Sequence, residues 1–149
     1  MTLRIIQWNT GIVGSAGVRA IQAHPELELV GCHAWSPEKS GRDVGELCGT
    51  GPLGVEATSD VEALLALEPD CVLYTPQFPD VELMLRVLEA GINIVSTSYF
   101  ITGRSFGTRD ATRLHEAPLG RRSRCLSACC SLSGIISWNC GVLPLKMCH

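Results

Sequence analysis

Apolar and polar positions alternate between two periods along most of this chain. Residues 4–8 (RIIQW) have the apolar, β-favouring make-up of a buried strand, and Asn9, Thr10 and Gly11 are turn residues leading into a helix over 15–23. Val18 and Ile21, with Val13 just ahead of them, mark that helix's inner face, and His24 and Pro25 stop it. Residues 27–34 (LELVGCHA) form the next strand, with Leu27, Leu29 and Gly31 alternating against Glu28, Val30 and Cys32. A crossover helix between two strands makes them parallel.

The same alternation continues. A loop-rich stretch over 36–52 carries one short helix over 43–47, and 54–58 forms a short strand. Ser59 or Asp60 caps the next helix, VEALLALE, with Val61, Leu64, Leu65 and Leu67 inward and Pro69 closing it. Residues 71–75 (CVLYT) make an apolar strand of the kind buried on both faces, which Pro76 and Pro79 end. Asp80 caps VELMLRVLEA, Gly91 ends it, and 92–97 form a fifth strand. Repeated strand–helix units predict an α/β fold with a mostly parallel sheet over residues 1–117.

The first strand, its turn and its helix form a candidate nucleotide cradle. A helix N-terminus leaves backbone N–H groups unpaired and carries the positive end of the dipole, so a diphosphate docks there if no side chain blocks it. Gly11 lets the backbone approach such a ligand, and Gly14 lets the helix lie tight on the strand. The glycine fingerprint GxGxxG is incomplete here, because Asn9 replaces its first glycine. Asn enters the left-handed region more readily than other non-glycine residues. An ordinary tight turn that binds nothing uses the same residue types, and the flanking strand and helix favour the cradle.

The end of the second strand is where the adenosine ribose of a dinucleotide would lie. No acid stands at that tip, and Ser36, Lys39 and Arg42 follow, which favours NADP over NAD. Solvated loop polars would look the same. Trp35 is a candidate for stacking on adenine, although a partly buried core aromatic is the plainer expectation. Thr75, Ser96, Thr97, Ser98 and Tyr99 fall at the carboxyl ends of two further strands, facing the same crevice.

These segments resemble a known family. WNTGIVG, then HPELELVG, SPEKSGRDVGEL, CVLYT and GINIVST, are similar in order and spacing to the N-terminal NAD(P)-binding domain of actinobacterial dihydrodipicolinate reductase-like proteins, themselves similar to 2,4-diaminopentanoate dehydrogenase. The likeness covers roughly residues 1 to 116. It implies a Rossmann-type, doubly wound sheet, NAD(P)H as cofactor and a reductase or dehydrogenase role. By that likeness Gly11, Ile12, Val13 and Gly14 cradle the diphosphate with Asn9 and Thr10, while Thr75, Ser96 and Thr97 line the nicotinamide side. The family has glycine at position 9 and continues into a substrate-binding domain. Nothing after Glu116 resembles that domain, so no catalytic residue is named and the chain reads as truncated.

Composition sharpens the boundary. All 15 acidic residues lie at or before Glu116, so residues 1–117 carry a net charge of -7 and residues 118–149 carry +4. The second segment is an irregular tail holding five of the eight cysteines, Cys125, Cys129, Cys130, Cys140 and Cys148. Its spacing is a poor match to paired zinc ligands, and a disulfide framework fits badly with a reducing compartment, so no metal is assigned. A shifted reading frame or misplaced gene end explains it better. Cys32, Cys48 and Cys71 read as small core hydrophobes, and His115 as a surface histidine.

No apolar run approaches the roughly 18 residues that span a membrane, and the N-terminus lacks a secretory layout, which predicts a cytoplasmic protein. The expected partner is a small-molecule dinucleotide, with no nucleic acid and no membrane. Two other readings stay open: a dinucleotide-binding module or truncated product without catalysis, and a thiol or metal-binding protein acting through the tail.

Overall fold

The computed structural model describes residues 2–97 fully and, as backbone strands alone, 125–127, 129–130 and 136–137. Expectations placed on Ser98, Tyr99, His115, Cys140, Cys148 and the boundary at 117 lie outside these residues.

β1 (Leu3–Trp8), α1 (Ile12–Ala23), β2 (Leu27–His33), α2 (Val44–Cys48), β3 (Ala57–Thr58), α3 (Val61–Leu65), β4 (Cys71–Tyr74), α4 (Val81–Glu89) and β5 (Asn93–Ser96) follow the expected alternation. They build a parallel sheet in the order β3-β2-β1-β4-β5, to which β6 (Cys125–Ser127) adds outside β5. The tail sequence gives no sign of β6, nor of the short antiparallel pair β7 (Cys129–Cys130) and β8 (Ile136–Ser137). From β1 the chain steps outward to β3, then crosses back to place β4 on β1's other side. That reversal opens a crevice at the carboxyl ends of β1 and β4, where open α/β sheets bind ligands.

Buried apolar side chains form two separate clusters. Ile6 and Trp8 are buried with Val72, Tyr74, Leu64 and Met84, where α3 and α4 pack. Val18, Cys32, Val44 and Cys48 form the second core around α1 and α2. Cys32, Cys48 and Cys71 are free thiols. Burial pushes the thiols of Cys32 and Cys71 up to about 12 and about 11, as suits packing residues rather than nucleophiles.

Local chemistry explains most helix boundaries. Asp43, Asp60 and Asp80 each cap a helix, accepting from first-turn N–H groups of α2, α3 and α4. Asp43 does more: its carboxylate accepts from the N–H groups of Gly45, Glu46, Leu53 and Gly54, which folds the loop around it. On its far side this loop meets β3, where Gly41 N–H donates to Ala57 O at 2.8 Å and Ala57 N–H to Arg42 O at 2.9 Å.

Several expectations are corrected. α1 begins at Ile12, three residues early, so its buried face is Gly14, Val18 and Ile21, and Val13 is 47% exposed. β3 is only two residues long, and α3 ends at Leu65 because the chain tightens into a turn before Pro69. β4 is less buried on one face, since Cys71 and Leu73 stay partly accessible. Trp35 is 68% exposed and is no part of the core.

Candidate functional site

The turn after β1 is built by close approach. Asn9 adopts φ +83, the left-handed conformation for which Asn is the usual non-glycine residue. Its carbonyl lies directly over α1: a Cβ on Gly14 would stand 1.9 Å from Asn9 O, so only glycine fits there. Gly17, one turn on, is similarly constrained by Gln7 and Leu73, and these two glycines seat α1 on the sheet. Gly11 has open space around it, with the nearest atom 3.9 Å from its Cβ position.

Gly11 is also the N-cap of α1, and it supplies no side-chain acceptor. α1 is the longest of the four described helices, yet alone among them it has no capping side chain and no acid in its first turn. Its unneutralised N-terminus opens at the sheet's carboxyl edge. Ile12 beside it is 92% exposed, an apolar side chain held in solvent at the mouth of the crevice.

The remaining sequence-derived candidates fall into two groups. Lys39, from the loop after β2, reaches back to donate from Nζ to the Thr10 hydroxyl at 3.1 Å. Ser36 is partly buried in the same loop, where its carbonyl accepts from Lys39 N–H, and Arg42 is exposed at the loop's end. The first acid beyond β2 is Glu38, which is exposed. On the other side, Thr75 is buried and its hydroxyl is already engaged, donating to Trp8 O at 2.8 Å. Ser96 is fully buried at the end of β5 and Thr97 is partly so. Thr75 therefore joins β1 to β4, while Ser96 and Thr97 sit beyond it at the same edge.

Two residues to which the sequence reading assigned no role belong to this edge. Gln7 is buried and donates from Nε2 to both Asn9 O and Thr75 Oγ1. His33, the last residue of β2, stacks on Trp8 with ring centroids 4.4 Å apart, and Tyr74 continues the row. Burial lowers the His33 pKa, so its ring is neutral near pH 7. His33 and Trp35 line an open cleft of about 370 Å³ that runs to Asp80 at the N-cap of α4 and Arg86 in its last turn. Strand alternation marks Gln7 and His33 only as a polar residue in a strand and a strand end.

Among the described residues no cluster of His, Cys, Asp or Glu is arranged to hold a metal ion, and no helix is long and apolar enough to cross a membrane.

No family model matches the chain. Over 101 residues it is 41% identical to an amine dehydrogenase of Streptomyces virginiae, covering 64% of this chain and 28% of that protein. Over 63 residues it is 40% identical to a 4-hydroxy-tetrahydrodipicolinate reductase of Synechococcus elongatus, covering 42% of this chain and 23% of that protein. Among solved structures, the amine dehydrogenase from Mycobacterium smegmatis superposes with a TM-score of 0.68 at 25% identity, over 76% of this chain and 35% of that one. The chain thus spans roughly a third or less of these three proteins. The parallel sheet and its helices are of the Rossmann type found in these dehydrogenases.

Proposed function

We propose that this Rossmann-type domain binds a nicotinamide dinucleotide at the β1–α1 turn, as the cofactor-binding part of an oxidoreductase related to the amine dehydrogenases and 4-hydroxy-tetrahydrodipicolinate reductases. One observation carries the reading: α1 alone among the described helices lacks an acidic cap, and its bare N-terminus opens at the β1/β4 switch point. An anion is what satisfies such a terminus, and a diphosphate supplies one without a side chain.

The residues present fit that group. Asn9, Thr10, Gly11, Ile12, Val13 and Gly14 line the phosphate side, where Gly11 leaves room for a ligand and Gly14 fixes the helix in place. Ser36, Lys39 and Arg42 surround the adenosine side. With a lysine drawn onto the turn and no carboxylate at the tip of β2, that side favours the 2′-phosphate of NADP over the free hydroxyl of NAD. Thr75, Ser96 and Thr97 define the nicotinamide side. When bound, the nicotinamide exchanges a hydride with substrate; the residues of this chain hold and orient it, and none of those described is assigned to proton transfer. Free thiols at Cys32, Cys48 and Cys71 accord with a cytoplasmic location, which is part of this reading.

Titration of the full chain with NADPH and NADH, followed by tryptophan fluorescence or calorimetry, tests the proposal. Saturable binding of both with NADPH tighter is expected. Lack of binding to either overturns the cradle, and tighter NADH overturns the preference.

A further inference from the structure

We infer that Gln7 is the positioning residue of this site: its buried amide holds Asn9 in the left-handed conformation and ties the phosphate-side turn to Thr75 at the end of β4. The assignment of ligand rests on the dinucleotide reading above, whereas the geometry does not.

Gln7 is fully buried on β1. Its Nε2 donates to Asn9 O at 3.0 Å and to Thr75 Oγ1 at 2.9 Å, with Trp8 O at 3.2 Å. The chemistry fixes which way the amide points. Both carbonyls only accept, and the Thr75 proton is committed to Trp8 O, so the nitrogen must face all three. Oε1 is then left buried without a partner, against Gly17 of α1, where a Cβ would lie 2.5 Å from it. An amide that leaves its own oxygen unsatisfied is a poor packing residue, because that oxygen's desolvation is uncompensated. What it contributes is its donated bonds.

One of those bonds ends on the carbonyl of the residue that most needs restraint. Asn9 at φ +83 sits where a non-glycine residue is strained, and such a conformation persists when its surroundings over-determine it. The same carbonyl touches α1 at Gly14, so rotating that peptide would displace the first turn of the helix. Through Thr75 the restraint reaches β4, and one side chain sets both halves of the crevice.

Full-length Gln7→Met, Thr75→Val and the pair Gln7→Met with Asn9→Gly distinguish this from packing. The first readout needs no ligand: amide-exchange protection at position 9 and at Ser15, whose N–H groups bond His33 O and Gly11 O on either side of the turn. Relative to β4 amides, Gln7→Met should lower that protection by about tenfold, the scale of losing a restraint on one strained residue. Thr75→Val should act in the same direction by less. Adding Asn9→Gly should recover most of the loss, because glycine takes the conformation unheld.

Equal losses from Gln7→Met with and without Asn9→Gly, or no loss in a folded Gln7→Met, would overturn the inference. Should Gln7→Met not fold, Thr75→Val decides, and unchanged protection there overturns it. The second readout is the NADPH Kd, expected to rise about tenfold in Gln7→Met and less than about threefold when Asn9→Gly is also present. If the unmodified chain binds neither dinucleotide, the functional reading fails while exchange still judges Gln7.

Discussion

The Lys39 ammonium donates to the Thr10 hydroxyl at 3.1 Å, joining the loop after β2 to the turn after β1 across 29 positions of sequence. This places a cation at the junction where the adenosine and diphosphate parts of a dinucleotide would meet. Lys39→Ala should raise the NADPH Kd by about tenfold, the value of one charge-assisted contact, and leave NADH within about threefold. Parallel titrations check it, and equal losses for both would remove Lys39 from the 2′-phosphate.

Gly11 and Gly14 should respond in different ways. Gly14→Ala drives a methyl into Asn9 O and should cost about 1–3 kcal/mol in denaturant unfolding. Gly11→Ala meets only open space at an ordinary φ of -73 and should cost less, about 0.5–1 kcal/mol for replacing a glycine N-cap. Gly11→Val should stay folded yet lose dinucleotide binding, since its branches occupy the phosphate approach.

Asn9→Gly should tighten NADPH binding by tenfold or less. Left-handed backbone costs a non-glycine residue about 1–3 kcal/mol, with Asn at the low end, and glycine removes that strain. Calorimetric titration decides the matter. Unchanged or weaker binding would mean that Asn9 is not a defect in the phosphate cradle.

Stability should fall as pH drops through the ordinary histidine value of 6.5, because His33 is buried neutral against Trp8. Its folded pKa lies below the usual 6.5, so between the two values the unfolded chain binds more protons and stability rises with pH. Below the lowered value the loss is complete. His33→Phe keeps a ring on Trp8 and should flatten this part of the Tm profile. Asp43 acts in a lower window: its backbone donors, led by Leu53, depress its pKa below the usual 3.8. Its contribution is present above that ordinary value and disappears as pH falls through the depressed one. Asp43→Asn should remove the lower step and leave the upper.

Where structure is local, the sequence reveals it. Asp60 and Asp80 ahead of apolar helices, and Gly91 after the last, place two helices within a few residues. The left-handed turn residue was likewise legible, since an Asn in a glycine's place names its own conformation. α1 was harder because Gly11 caps it without a side-chain signal; starting it late obscured that Val13 lies five positions, about 140° of rotation, from Val18. The hydrogen bonds of Gln7, Lys39 and Thr75 could not be read from pattern alone. Their partners lie 2, 29 and 67 positions away, and periodicity carries no record of which polar atoms meet across a sheet edge.

The loop folded around Asp43 has a consequence for association. β3 is the outermost strand on its side, and an open strand edge recruits another chain by backbone pairing. Here the outward N–H and C=O of Ala57 are already taken by Arg42 and Gly41, and Val55 O accepts from Val44 N–H. With a strand of two residues and its edge covered by its own loop, this margin offers no template for a foreign strand. The carboxylate that organises the loop thereby also guards the sheet against growth from that side, a protection that Asp43→Ala would weaken.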